Sequence, residues 1–436
     1  MNTNLESSIP VSTKPKGNVR WKISIWLLIG GIINYLDRSN LSIAAPAMMK
    51  ELHLTNADIG LLGTVFSWTY AFMQLPSGWL VDRIGSKKMY VIAITWWSFA
   101  TAATGLCNNL STLLVGRAVL GIGEAPCMPT SAKVTSYWFP KKERGLASGV
   151  WDSASKVGPA IAAPILVTIL LLSGWRSLFF ITGAIGLVFA LVFAKFYKTP
   201  NKSKSLSTEE FEYIKAGGAG EEKSNVKSTV KWKELFKYRS VWGMILGFFC
   251  IIWIFNIFIV FTPLYLVKTQ HITFSQLGIW ASIPWIGGIF GDLIGGYIST
   301  RLVEKKSMDP MVAKRAVISV AAVIAGAVTI CIPFATNIKM TVLLMAAAIG
   351  CIACITGNAW ALAGDVAPEE LVASVGSIQN FGGYFGGALS PFIVGLIADS
   401  TGSFTLAFVS GGIVAAGAAI CYWFIVREPI TVNQNN

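Results

Sequence analysis

The chain has 436 residues, of which 54% are hydrophobic and only 13% charged, with a mean hydropathy of +0.60. Soluble domains carry about 25% charged residues, so the composition excludes an ordinary soluble globule and points to a chain buried largely by a lipid bilayer. The net charge of +13 raises nucleic acid as a partner, but the placement of the basic residues follows membrane topology instead, and no nucleic acid is expected.

The hydropathy pattern predicts an all-α membrane protein of twelve transmembrane helices in two six-helix halves, with apolar segments centred near residues 32, 68, 97, 123, 160, 186, 254, 287, 323, 351, 385 and 414. Alternate gaps are basic: the N-terminal tail, 82–88, 140–144, 195–239, 301–315 and the C-terminal tail, whereas the opposite gaps hold only Lys50, Arg176, Lys268 and Lys339. The positive-inside rule then puts both termini in the cytoplasm. The expected organisation is a cytoplasmic tail over 1–20, a six-helix bundle over 21–196, a linker over 197–238, a second bundle over 239–427 and a tail over 428–436.

The first apolar segment, from about Trp21 to about Ile43, is long enough for one crossing at ~20 residues. The polar first twenty residues carry no cleavage signal, so this segment reads as an anchor rather than a signal peptide. It contains Asn34-Tyr35-Leu36-Asp37-Arg38-Ser39-Asn40. A charged side chain at the bilayer centre costs at least ~2.5–3.5 kcal/mol, and successive helical residues point about 100° apart. Asp37 and Arg38 therefore need partners on another helix or in a wet cavity. They read either as a structural ion pair that fixes packing or, by default for such residues, as a substrate or proton site.

After the second segment comes Gly78-x-x-x-Asp82-Arg83-x-Gly85-x-Lys87-Lys88. Gly78 and Gly85 permit close approach and a tight turn, and Asp82 can accept from a helix N-terminus and pair with a base, as a clamp on one gate state would require. In the fourth segment Arg117 and Glu124 are seven residues apart, on one face and ~10.5 Å along the axis. Gly121 and Gly123 allow close packing, and Pro126 and Pro129 free backbone carbonyls and favour a kink. In the fifth segment, Asp152 and Lys156 stand four apart, acid first, and can pair on one face; alternatively Lys156 is a second anion-binding group.

The linker holds six Lys between Pro200 and Trp232 and the run Ala216-Gly217-Gly218-Ala219-Gly220. The halves beyond it echo each other. Leu146-Ala147-Ser148 resembles Val372-Ala373-Ser374, and Gly296-Tyr297-Ile298-Ser299-Thr300-Arg301 is a worn copy of Gly78-Trp79-Leu80-Val81-Asp82-Arg83. Parallel six-span repeats are a transporter architecture with the substrate near the midplane. Asn256 must be satisfied inside the bundle, Asp292 reads as a gate residue beside the worn loop copy, and Trp253, Trp280, Trp285 and Tyr384 read as packing or lipid-facing residues. Cys351-x-x-Cys354 reads as small residues in a helix. With only two His, His53 and His271, neither a metal site nor a hydrolytic triad is expected, and no cofactor is implied.

The Gly78–Lys88 loop resembles the one between spans two and three of the major facilitator superfamily, and Arg117-x-x-x-Gly121-x-Gly123 its span-four motif. The Glu124-Ala125-Pro126 continuation, the stretch Asn34 to Asn40, Tyr137-Trp138-Phe139-Pro140-x-x-Glu143-Arg144, and Leu206-Ser207-x-Glu209-Glu210-x-Glu212-Tyr213-Ile214 together resemble the anion:cation symporter family, closest to bacterial galactonate, glucarate and hexuronate transporters. The resemblance implies that Asp37 and Glu124 carry protons and that Arg117 interacts with the span-one carboxylate. It implies that Tyr35, Arg38, Tyr70, Trp360 and Asn380 contact the substrate; the gate expected from the loop chemistry itself comprises Gly78, Asp82, Arg83, Gly85, Lys87 and Asp292. Ser155 stands where galactonate and glucarate types tend to have Gln and hexuronate types Ser. Lys156 is an added charge, and Asn358 is the nearest polar group where further contacts are expected.

The sequence thus reads as a secondary transporter importing an organic anion, a hexonate, hexuronate or aldarate, with protons. It would work as a monomer in the bacterial inner membrane. A drug/proton antiporter shares the Gly78–Lys88 loop, but Arg38 and Arg117 would repel a cation. A membrane sensor on the same fold would carry an output domain, whereas only about ten residues follow Arg427.

Overall fold

A computed structural model describes residues 17–54, 56–220, 232–270, 274–401 and 405–430. The N-terminal tail to residue 16, linker residues 221–231, His271 and the C-terminal residues 431–436 lie outside the described residues.

The first half opens with α1 (Val19–Leu52), α2 (Asn56–Ile84) and α3 (Ser86–Thr104). Its fourth passage is broken into α4 (Leu110–Glu124) and α5 (Cys127–Trp138). The fifth begins as α6 (Arg144–Asp152) and continues into α7 (Ala154–Phe196), which turns back at Gly174, φ 80°, to form the sixth. A short linker helix, α8 (Thr208–Ala216), follows. The second half is α9 (Arg239–Gln270), α10 (Phe274–Lys306), α11 (Pro310–Cys331), α12 (Ile338–Val366), α13 (Val372–Thr401) and α14 (Thr405–Ile420). The described helices thus make twelve passages, and the described residues form no strand. Six passages are long and apolar enough to cross a membrane by length and composition alone, among them Thr168–Phe196 and Ile338–Val366. Others, such as α1, carry the charged groups of the interior.

Helix starts follow local chemistry. Asn109, Ser207, Asp309 and Asn337 each accept a backbone N–H in the first turn of the helix they precede, and Pro310 stands first in α11. Such caps satisfy donors the helix itself cannot. The kink after Glu124 follows from Pro126 and Pro129. Pro129 has no N–H for the Ala125 carbonyl, and the Gln74 amide on α2 donates to that oxygen instead, at 3.1 Å. Asn256 on α9 does the same for the Gly387 carbonyl, four residues before Pro391, at 2.9 Å.

Between the halves, α2 lies against α13 and α6 against α10. The two seams match the internal repeat. A Cβ on Gly78 would strike Ser377 and the Ala373 carbonyl of α13, and one on Gly296 would strike Leu146 and the Gly145 carbonyl of α6. Arg83 lies over Trp79 and Arg301 over Tyr297, each with its guanidinium carbon 5.0 Å from the ring centre.

Both seams close the end of the molecule that carries the linker. There Asp82 Oδ1 pairs with Lys133 at 2.7 Å, and the carboxylate accepts the Ala373 and Ser374 N–H groups at 3.2 and 2.7 Å, capping α13. Arg144 donates to the Gly364 carbonyl at 2.7 Å and pairs with Asp365, which also holds Lys314 at 2.5 Å. The linker is strapped to this end. Glu210 and Glu143 both hold Arg20, at 2.8 Å each, Tyr213 donates to Glu143 at 2.7 Å, and Arg144 donates to the Gly218 carbonyl at 3.1 Å. The Glu143 carboxylate raises the Tyr213 hydroxyl pKa above its ordinary value, after the larger effect of burial.

Candidate functional site

A cavity of about 340 Å³ opens between the halves. First-half residues Tyr35, Arg38, Tyr70, Asp152, Ser155 and Lys156 line one side, and Asn256, Trp285, Thr356, Trp360, Asn380 and Tyr384 the other. Of the expected substrate contacts, the structure brings together Tyr35, Arg38, Tyr70, Ser155, Lys156, Asn256, Trp360 and Asn380. Asn358 is a correction. It does not line the cavity; its amide donates back to the Cys354 carbonyl at 2.9 Å, and its oxygen faces Gly145 across the seam.

Arg38 is the centre of the first-half wall. Its carbon lies 4.6 Å from the Tyr70 ring centre, 4.9 Å from Tyr35 and 5.3 Å from Phe66. Its Nε donates to Glu124 at 2.6 Å and its Nη1 to the Tyr384 hydroxyl at 3.0 Å. Its Nη2 is buried without a hydrogen-bond partner. The α1–α4 contact thus pairs the span-one arginine, not the aspartate, with the span-four acid. Asp37 points elsewhere, almost fully buried, with Asn40 at 3.5 Å and Thr182 and Trp97 alongside. This follows from the 100° step between neighbours on a helix.

Arg117 is a second correction. It does not pair with the Asp37 carboxylate; its Nε donates to the Leu62 carbonyl at 3.4 Å, its carbon lies 4.6 Å from the Phe66 ring centre and its Nη1 is buried unpaired. Leu62 and Phe66, one turn apart on α2, hold it there.

Farther along the first-half wall, Lys156 makes the expected pair with Asp152. Its Nζ lies 3.0 Å from Asp152 and 2.9 Å from Asp292 while the side chain still borders the cavity. The Thr356 hydroxyl donates to Asp152 at 2.7 Å. Asp292 is 1% exposed and reaches across the seam to the first half, deeper than the loop copy suggested. In the Gly78–Lys88 loop, Asp82 makes the cap and ion pair given above, Gly85 precedes α3 with φ 93°, and Lys87 lies in its first turn.

Two residues read as packing belong to the cavity. Tyr384 packs against Tyr70 in a tilted arrangement, centroids 4.5 Å apart, and accepts from Arg38, and Trp285 lines the second-half wall. Tyr384 follows Asn380 by four positions on α13, the spacing that puts two side chains on one helix face. That spacing is the signal that could have found it. Asn380 in turn donates to the Tyr70 hydroxyl at 3.3 Å. No trio of His, Cys, Asp or Glu suited to a metal occurs among the described residues.

Comparison with known proteins agrees with this architecture. The fold is similar to the crystal structure of the transporter FucP in its outward conformation, with a TM-score of 0.72 at 15% identity over 94% of this chain and all of that one. The sequence is 36% identical to a probable L-galactonate transporter of Escherichia coli K12 over 93% of this chain and 88% of the relative. It is 32% identical to a D-galactonate transporter of Escherichia coli O6:H1 over 96% and 98%. The profile of the Major Facilitator Superfamily matches residues 27–391 and 308–436. Two matched six-helix repeats meeting at a buried cavity, that profile and these relatives lead to one conclusion: the chain belongs to the Major Facilitator Superfamily and is a multi-pass membrane transporter, not an enzyme.

Proposed function

We propose that the protein imports a sugar acid, a hexonate, hexuronate or aldarate, together with protons, by alternating access. The substrate class is supported by the galactonate transporters to which it is similar. It is also supported by a cavity that offers a guanidinium, hydroxyls, amides and indole faces to a carboxylated polyol. The bacterial relatives support a place in the inner membrane, and the basic linker end supports cytoplasmic termini. One subunit holds all the named groups, in keeping with a monomer.

The observation that carries the coupling is the state of Arg38. Glu124 occupies Nε and leaves Nη2 empty. Those two nitrogens form one edge of the guanidinium, the edge that takes a carboxylate through two parallel bonds. While Glu124 is ionised, that edge is half blocked. A proton on Glu124 releases Nε and opens the whole edge. The wider balance agrees: Arg38, Arg117 and Lys156 face Asp37, Glu124, Asp152 and Asp292, which leaves one formal negative charge around an empty cavity. An anion is repelled from such a site until protons arrive. Protonating Asp37 and Glu124 makes the site positive by one charge, a monoanion neutralises it, and the loaded protein turns. Release of substrate and protons on the other side restores the Arg38–Glu124 pair and resets the gate of Gly78, Asp82, Arg83, Gly85 and Lys87.

Uptake and counterflow by the purified protein in proteoliposomes, across hexonates, hexuronates and aldarates and with an imposed pH gradient, test this reading. Saturable, gradient-driven accumulation of at least one is expected. Transport of none, or accumulation indifferent to the gradient, would overturn it.

A further inference from the structure

The cluster of Asp152, Lys156 and Asp292 plays no part in the Arg38–Glu124 exchange, yet it is buried, charged and shared between the halves. Asp152 and Lys156 belong to the first half, at the end of α6 and the start of α7; Asp292 comes from α10 in the second. Just beyond it, α6 and α10 lie backbone to backbone. A Cβ on Gly149 would strike the Asp292 carbonyl oxygen, and one on Gly357 of α12 would lie 3.6 Å from the Asp292 carboxylate. An opening of the linker end between α6 and α10 would pull this ion pair apart, because its two members sit on opposite halves.

The two acids fare differently when that happens. Asp152 travels with Lys156, four residues away on the same half, and remains paired. Asp292 loses its counterion: neither of its oxygens has a hydrogen-bond donor in good geometry, and its contact with Lys156 is an ion pair at 2.9 Å. The other titratable groups facing it are Asp152 from α6, which repels its charge, and Cys354 from α12, which offers no positive charge. A buried carboxylate stripped of its partner is strongly unfavourable, whereas a neutral carboxyl is merely polar.

We propose that Lys156 and Asp292 form a proton-operated latch, so that the linker end opens only when Asp292 carries a proton. This rests on the proton-coupled reading above and adds to it a group that senses protons without touching the substrate. Asp292 is in this sense a positioning residue, acting through Lys156 on the seam.

Hydrogen–deuterium exchange of the full-length, substrate-free protein in proteoliposomes tests the latch, with labelling corrected for intrinsic exchange. The peptides read are those of α6 and of the linker end of α10. If opening needs one proton, their protection in the wild type rises about tenfold per pH unit on the alkaline limb. In Asp292→Asn protection is low and flat with pH. Should that variant fail to fold, Lys156→Gln/Asp292→Asn retains the formal charge of the original cluster and is expected to give the same flat profile. Protection that follows the wild-type pH course in the variants, or a wild-type profile that is itself flat, would overturn the latch. Gradient-driven uptake measured on the same vesicles separates the two readings: its presence with an unchanged Asp292→Asn profile sinks only the latch, and its absence in the wild type sinks both.

Discussion

Replacing Arg38 with lysine is the sharpest test of the proposed anion clamp. The guanidinium holds Glu124 at 2.6 Å through Nε and Tyr384 at 3.0 Å through Nη1, leaves Nη2 unpartnered, and lies within 5.3 Å of three ring centres. Lysine keeps the charge and loses the planar fork. A single ammonium cannot hold the Tyr384 hydroxyl and also present two parallel donors to a carboxylate, so at least one charged hydrogen bond to substrate is lost. Such a bond is worth about 1.5–3 kcal/mol, which at about 1.4 kcal/mol per decade is roughly ten- to hundredfold in affinity. Quenching of intrinsic tryptophan fluorescence reads substrate binding directly, since Trp360 and Trp285 line the cavity. Counterflow reads the same loss as a raised half-saturation concentration. Wild-type affinity in Arg38→Lys would show that the fork does not bind the substrate and would return Arg38 to a structural role.

Four further outcomes follow from the same geometry. Asp37→Asn is expected to lose gradient-driven accumulation while retaining counterflow exchange; a variant that still concentrates substrate would remove Asp37 from the proton path. With two protons per monoanion, one net positive charge enters, and each 100 mV adds about 2.3 kcal/mol of drive. Monoanion uptake driven by a potassium–valinomycin potential with no pH gradient checks this, and indifference to the potential would refute the scheme. Gly149→Ala puts a methyl group into the Asp292 carbonyl, an overpacking of about 1–3 kcal/mol; a lowered apparent Tm without substrate and slowed net uptake are expected, and neither appears if the seam closes otherwise. Asp82→Asn leaves Lys133, 2% exposed, without its ion pair, at roughly 3–5 kcal/mol for a buried charge; net uptake falls while substrate affinity, read by fluorescence, stays at the wild-type value.

The helical passages were legible because hydropathy integrates over some twenty residues and the basic gaps mark one face of the membrane. Asp37 and Arg38 stood out because a charge inside an apolar segment is conspicuous alone. Pairing was not legible. The sequence places Arg117 and Glu124 on one face of one helix, but which base reaches Glu124 depends on how α1 is rotated against α4, and rotation is set by packing. Arg38 takes that partner, and Arg117 is drawn to a carbonyl on α2. Tyr384 and Trp285 were hidden for the opposite reason: an aromatic residue looks the same in sequence whether it faces lipid or a cavity. The link between Lys156 and Asp292 spans 136 positions and joins two halves, beyond the reach of any local spacing rule.

The two seams at the linker end have diverged as duplicated parts do. In the first copy Asp82 caps α13 and holds Lys133; at the matching place in the second stands Thr300, whose buried hydroxyl has no hydrogen-bond partner. The neighbouring arginine–aromatic stack survives in both copies. One seam is therefore bolted by an aspartate at this place, whereas on the α6 side the rim charge comes from Arg144, which pairs with Asp365 of α12, and the Lys156–Asp292 pair lies deeper, beside the cavity. The two sides of a symmetric frame are thus fastened by different joints, one a carboxylate cap on α13 and the other an arginine strut reaching from α6 to α12.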